Sequence, residues 1–292
     1  SYPFSIRQSF YMDHKLRRVI GKVLKNNGNE MDLFQWLRLT SGYCTNFRPA
    51  SAKALYEVFG KKSDCKVFDS SAGYGARMLG AHFAYNVREY LGIDPNTADH
   101  CQDVINYLDK DFSTNTKKQV LKMGSEDFTK ENYPQYQDYF DISFTSPPYF
   151  NTEMYSDDET QSWKKFPIYT GWVTGFYKAT IYNSINALKA DGIFSINIFE
   201  KVPNIREITK LFAADKGFFL YQSDKYSLRV MPGSINNKYG TSVSRRELVK
   251  ESSEPIWMFR HWSSLLKDGL ISEQQALEFK KRATLDTKIP LV

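Results

Sequence analysis

Near the start of the chain, Leu16, Val19, Ile20 and Val23 recur at the spacing of one face of a helix. Residues 10–41 therefore read as helical, with a break at Asn26-Asn27-Gly28-Asn29. Asp32 is placed to cap a second helix through Leu33, Trp36 and Leu37, ending near Ser41-Gly42. Ala50–Phe59 is another amphipathic helix. From Cys65 onward the pattern changes to short apolar runs alternating with helical stretches. The predicted strands are Cys65–Asp69, Glu89–Asp94, Lys118–Met123, Tyr139–Thr145, Gly192–Ile198, Phe218–Tyr221 and Ile256–Arg260. Helices are predicted around Ala76–Arg88, over Ala98–Leu108 and over Trp172–Leu188. Strands alternating with helices imply an α/β fold, with a mostly parallel sheet covered on both faces. Residues 263–290 form a polar tail in which Ser272 and Gln275 make a capping-box pattern before a final helix.

The composition, 41% hydrophobic and 25% charged over 292 residues, is that of an ordinary folded chain of one large domain with additions or two modest ones. No run approaches the roughly 18 apolar residues of a membrane span, and the N-terminus lacks the layout of a secretory signal. The 3 cysteines (Cys44, Cys65, Cys101) are far apart and the 4 histidines do not cluster, so neither a disulfide framework nor a metal site is expected. The scarcity of histidine also argues against histidine-dependent hydrolysis. A reducing, cytoplasmic setting follows. The net charge of +6 is uneven, with residues 1–66 holding all of the excess. A second basic stretch, Tyr221–Lys250, contains Lys225, Arg229, Lys238, Arg245, Arg246 and Lys250. Both stretches suit a polyanion.

Two local patterns carry chemistry. In the first, strand Cys65–Asp69 runs into Ser70-Ser71-Ala72-Gly73-Tyr74-Gly75 and then a helix, an arrangement that aims backbone N–H groups at a ligand. Asp94 ends the next strand about 20 residues later, where an acid reaches a ribose hydroxyl pair. A dinucleotide fingerprint would need a further glycine where Met78 stands, and Asp69 would repel pyrophosphate while attracting a cation. S-adenosylmethionine, with its sulfonium and amino group, fits that preference. The third strand ends in Gly124-Ser125-Glu126-Asp127-Phe128, where an acid can bond an adenine amino group. Arg77, just after the glycine turn, is expected to pair with a nearby carboxylate or else to touch a phosphate.

In the second pattern, Thr145-Ser146-Pro147-Pro148-Tyr149 closes the fourth strand. The two prolines stiffen the turn and remove N–H donors, leaving carbonyl acceptors. An exocyclic amine is a poor nucleophile because its lone pair is delocalised into the ring. Accepting its hydrogens at Ser146 and the Pro147 carbonyl would free that lone pair, while Tyr149 offers a face on which a flipped base stacks.

Ser146–Tyr149 resembles the (Asp/Asn/Ser)-Pro-Pro-(Tyr/Phe/Trp) motif of the DNA amino-methyltransferase family. Val67–Gly75, Gly92–Asn96 and Gly124–Phe128 look like its three cofactor motifs. Thr45–Pro49 looks like the segment leading into the cofactor site, and Leu188–Ile198 like the following helix-to-strand segment. The similarity covers roughly residues 45–262 and implies a Rossmann-like class I methyltransferase fold with a seven-stranded, mostly parallel sheet. It further implies residues 1–44 as a basic N-terminal helical extension, 45–262 as the catalytic domain and 263–292 as a C-terminal helical tail. By resemblance, Asn46, Phe47, Asp69, Ser71, Gly73, Gly75, Asp94, Glu126 and Asp127 would bind S-adenosylmethionine. Ser146, Pro147, Pro148 and Tyr149 would be catalytic. The implied partner is double-stranded DNA with one base flipped, inside a prokaryotic or phage-infected cell. Arg229, Lys238, Arg245 and Arg246 are expected on phosphates, and Asn151–Trp163 as an acidic flap over the base. Ser146 is more usual in cytosine-N4 enzymes, whereas the motif order is that of adenine-N6 enzymes, so the target base stays open. An RNA base, a glutamine side chain, or a catalytically inactive nucleic-acid-binding role are the alternatives.

Overall fold

The computed structural model describes residues 13–30, 32–33, 47–112, 114–152, 156–198, 202–222, 227–229 and 253–283. Eight strands are placed: β1 (Cys65–Asp69), β2 (Val87–Ile93), β3 (Lys117–Leu121), β4 (Phe140–Thr145), β5 (Leu188–Asn197), β6 (Phe218–Gln222), β7 (Ser227–Arg229) and β8 (Ser253–His261). The principal helices are α1 (Asp13–Lys25), α2 (Pro49–Phe59), α3 (Ala76–His82), α4 (Ala98–Asp111), α5 (Lys178–Asn186), α6 (Ile205–Asp215), α7 (Trp262–Lys267) and α8 (Glu273–Ala283). Seven strands lie in the order β3-β2-β1-β4-β5-β8-β6, and the short β7 pairs with the opening residues of β8. Strands β1 to β5 are mutually parallel, and β8 runs antiparallel to both β5 and β6. This is the Rossmann-like class I methyltransferase architecture implied by the motifs, with a seven-stranded, mostly parallel sheet.

Two buried clusters fill the two faces. On one, Phe68, Phe140, Phe194, Ile196 and Phe259 of the sheet meet Trp172, Ile181, Ile208 and Phe212 from the helices after β4 and β5. On the other, Val67, Tyr90, Ile142, Phe144 and Met258 meet Leu55, Met78, Ala81 and Ile105 of α2, α3 and α4. Continuous burial of β4 on both faces is what a central parallel strand requires.

Several boundaries differ from the sequence expectation. Helix α3 stops at His82 because Asn86, fully buried, donates its side-chain amide to Tyr56 O at 2.8 Å and Lys61 O at 2.7 Å, which fixes a turn and starts β2 at Val87. Asn29, not Asp32, is the residue at the start of the second N-terminal helix. Asn29 N donates to Asp32 Oδ2 at 2.8 Å and Asp32 N to Asn29 Oδ1 at 3.2 Å, a reciprocal pair like a capping box. The capping box at α8 has the expected partners, with Ser272 N on Gln275 Oε1 at 2.9 Å and Gln275 N on Ser272 Oγ at 3.2 Å. Helix α8 is docked on the sheet, where Phe279 stacks on Phe219 of β6 with ring centroids 4.0 Å apart. The helix expected from Trp172 begins earlier, at Tyr169, and passes through a π-helical stretch, Trp172–Tyr177, before α5.

Gly80 lets α2 and α3 touch backbone to backbone. A Cβ there would lie 2.7 Å from Ala52 Cβ, 2.7 Å from Pro49 O and 2.9 Å from Lys53 N. Two of these neighbours are backbone atoms that no rotamer change can move. Gly80→Ala is therefore expected to destabilise the fold at the upper end of the roughly 1–3 kcal/mol typical of overpacking. That exceeds the roughly 1 kcal/mol that alanine gains over glycine in a helix. A thermal melt of the variant at or above the parent midpoint would contradict this contact.

Candidate active site

The strand order reverses between β1 and β4, and in such sheets the crevice beyond the carboxyl ends of those strands is where ligands bind. Both chemical patterns of the sequence sit there. Pairing of Val67 with Ile142 and Phe68 with Ser143 sets the end of β1 beside the end of β4. A buried contact between Ser70 Oγ and Ser184 Oγ, 3.2 Å apart, ties the glycine turn to α5.

The glycine turn is built from below by an ion pair. Asp69 is fully buried, and its carboxylate accepts Arg77 Nε at 2.7 Å and Arg77 Nη2 at 3.1 Å. It also takes Tyr90 OH at 2.7 Å and Ser71 N at 3.1 Å. Burial opposes the charge on Arg77, but Asp69 beside it outweighs that and the guanidinium pKa is raised. Burial first, and then Asp69, push the Tyr90 hydroxyl well above its ordinary range, so it remains a donor. The expectation for Arg77 is met, and that for Asp69 is corrected. With no exposed surface and its oxygens occupied, Asp69 does not face a cationic ligand. It holds Arg77, whose Nη2 also reaches the Ser71 carbonyl. Gly73 and Gly75 take φ of +55° and +79°, a backbone region that side chains disfavour and glycine occupies freely.

Asp94 stands at the end of β2, half-buried, and knits the turn to α4. Its Oδ2 accepts Gly73 N at 3.0 Å, and its Oδ1 accepts Asn96 N at 2.9 Å and Thr97 N at 2.8 Å. Below it, burial and then Asp94 raise the Cys101 thiol to about 11, and the thiol donates to Gly73 O at 3.3 Å. At the end of β3, the backbone carbonyls of Ser125 and Glu126 accept Asn183 Nδ2 at 2.9 and 3.2 Å. Glu126 pairs through Oε1 with Lys165, while its Oε2 is buried with no hydrogen-bond partner. Asp127 is exposed and 3.5 Å from the Lys165 ammonium. The described part of the expected flap, residues 151–152 and 156–163, reaches the loop after β2, and Lys165 lies just past its end. Thr160 Oγ1 donates to Asn96 Oδ1 at 3.2 Å beyond β2, and Lys165 reaches the end of β3.

At the β4 turn, Thr145 pairs with Ile196, so the next residues, Ser146 and Asn197, come side by side. Ser146 Oγ donates to Asn197 Oδ1 at 3.2 Å. Pro147 is buried and Pro148 half-buried. Tyr149 does not present the stacking face expected of it. Its ring is only 2% exposed within the core, and its hydroxyl donates to the Asn197 backbone carbonyl. Phe150 follows with φ of +49°, an outlier for a bulky residue, and its ring meets Tyr169 edge-on at 5.5 Å. Phe47 roofs the glycine turn, edge-on to Phe144 at 5.1 Å and with the Arg77 guanidinium 5.4 Å from its ring centre.

Asn46, Lys238, Arg245 and Arg246 lie outside the described residues, and only the backbone of Arg229 is placed, at the end of β7. Sequence reasoning missed Asn197 and Phe150. The first is brought to Ser146 by strand register, and the second follows the proline turn directly. Among the described residues no group of three or more His, Cys, Asp or Glu is placed to hold a metal ion, and no helix is long and apolar enough to cross a membrane.

No protein-family model and no curated protein matches this sequence. Among solved structures, an rRNA methylase from Streptococcus thermophilus aligns at 11% identity over 75% of this chain and 99% of that one, with a TM-score of 0.42. A TehB-like SAM-dependent methyltransferase from Corynebacterium glutamicum aligns at 12% identity over 85% and 97%, with a TM-score of 0.42. A geranyl diphosphate methyltransferase in complex with SAM aligns at 13% identity over 82% and 94%, with a TM-score of 0.45. Likeness at this level carries no statement of activity or ligand, and the fold assignment stands on the strand order itself.

Proposed function

We propose that this chain is an S-adenosylmethionine-dependent methyltransferase acting on an exocyclic amino group, adenine N6 or cytosine N4, of a base flipped out of DNA. The observation that carries the reading is that the Ser146-Pro147-Pro148 turn and the Gly73–Gly75 turn follow the carboxyl ends of the neighbouring parallel strands β4 and β1, at the point where the strand order reverses. The residues present fit the cofactor. The buried Glu126 Oε2 lacks a donor, which an adenine amino group would supply, and Asp94, half-buried at the end of β2 and already accepting three backbone N–H groups, is the acid this reading assigns to a ribose hydroxyl. When bound, S-adenosylmethionine would supply an electrophilic methyl group to the amine lone pair, its thioether being the leaving group. The chain's own part is positioning. Ser146 Oγ and the Pro147 carbonyl accept the amine hydrogens, which localises the nitrogen lone pair, and the surplus proton leaves to solvent. No metal and no strong base enter this scheme. The basic sets at Lys15–Lys25 and Arg229–Lys250 serve the phosphates in this reading.

Transfer of labelled methyl groups to duplex DNA, to RNA and to a glutamine peptide tests the proposal, with the modified base identified by nucleoside analysis. Methylated adenine or cytosine from the DNA arm alone is expected. Label only in RNA or peptide would replace the DNA assignment. Ser146→Ala should lower kcat by about 10²–10³-fold, the scale for removing one preorganised hydrogen bond at a reacting centre, with cofactor affinity unchanged by calorimetry.

A further inference from the structure

The Ser146-Pro147-Pro148-Tyr149 turn is gripped at both ends by one residue. Asn197 Oδ1 receives the Ser146 hydroxyl at 3.2 Å, and the Asn197 backbone carbonyl receives the Tyr149 hydroxyl. Asn197 itself is 2% exposed, at the last position of β5. The orientation of its amide follows from its other neighbour. Pro255 O, 3.4 Å from Asn197 Nδ2, is a carbonyl and can only accept, so the NH₂ end must face it and the oxygen end must face Ser146. An amide oxygen has no hydrogen to give, so the one hydrogen between the two side chains is that of the serine.

A serine hydroxyl is otherwise ambivalent. It has one hydrogen and two lone pairs and rotates to suit its neighbours. A free hydroxyl would donate to a base carbonyl or a ring nitrogen as readily as it accepts from an amine. With its hydrogen held by Asn197, Ser146 has only lone pairs left to offer. We propose that Asn197 is a positioning residue that turns Ser146 into an obligate hydrogen-bond acceptor, so that the site takes bases presenting an N–H amine and rejects those presenting a carbonyl there. This rests on the methyltransferase reading above. Asn197 neither touches the substrate nor exchanges a proton.

Single-turnover methylation of duplex DNA by the intact chain tests this in four forms: the parent, Asn197→Ala, Ser146→Ala and the double variant. Asn197→Ala should slow the chemical step by on the order of 10²-fold, as misplacement of a positioned group does, with the KM for cofactor unchanged. The double variant should be no slower than Ser146→Ala, because with no hydroxyl present there is nothing to orient. In the Asn197→Ala background, Ser146→Asn should recover rate, since its carbonyl accepts without a hydrogen to be held. A merely structural role would instead multiply the two losses and leave Ser146→Asn without effect. Either of those results overturns the inference while leaving the methyltransferase reading in place. Absence of methyl transfer by the parent on any nucleic acid overturns both.

Discussion

Asp69→Ala is expected to cost about 3–5 kcal/mol of folding stability, the scale for removing one partner of a buried ion pair. The pair has side-chain exposures of 6% for Arg77 and 0% for Asp69, so solvent does little to screen the charge left behind. The Tyr90 hydroxyl and the Ser71 N–H would lose their acceptor in the same step. Joint replacement by apolar residues, Asp69→Leu with Arg77→Met, should recover most of the loss, because no buried charge then remains. Denaturant titration of both variants reads this directly as a shift in midpoint. A loss under about 1 kcal/mol for Asp69→Ala would mean that Arg77 finds water or another partner. Weaker cofactor binding in this variant would follow from collapse of the Gly73–Gly75 turn, with no direct contact needed.

Tyr149→Ala is expected to destabilise the fold by about 3–5 kcal/mol, as for other large aromatic residues cut from a packed core. Tyr149→Phe should cost only about 0.5–1.5 kcal/mol, the net worth of one hydrogen bond, because the ring stays and only the bond to Asn197 O is lost. The contrast separates two roles. A ring that served solely as an exposed platform for a base would be removable with little change in the melting curve. Thermal unfolding of Tyr149→Ala within about 1 kcal/mol of the parent would restore the platform role that its position in the motif implies.

The parts of the site legible in the sequence are those set by local chain chemistry. Glycines at a strand end, two prolines closing a strand and an acid ending the next strand fix their turns whatever the tertiary context. The parallel sheet was equally readable, since its strands are short apolar runs separated by helices of the right length. What escaped depends on which side chains meet. Asp69 reads as a lone acid at the mouth of a cofactor turn until Arg77 and Tyr90 are seen closing over it. Nothing in the spacing of Ser146 and Asn197 announces their contact, which follows from the pairing of β4 with β5. Tyr149 is buried although the motif implies an exposed ring, because motif position says which residue follows the prolines, not whether its ring turns outward or into the core. Asn86 shortens α3 by bonds to carbonyls far back in the chain, a constraint that helical periodicity does not contain.

The outer strand β3 adds a point about how copies of this chain meet. An outer strand offers a row of amide and carbonyl groups to any passing strand, the usual seed of cross-molecular pairing. Here the outer strand is five residues long and opens with Lys117 and Lys118, with Lys117 and Gln119 exposed. Two copies aligning these strands in parallel and in register would set their exposed Lys117 ammonium groups opposite one another, an arrangement that destabilises a pair. The same parallel sheet that builds the crevice therefore ends, at β3, in a margin poorly suited to parallel in-register extension by a second copy.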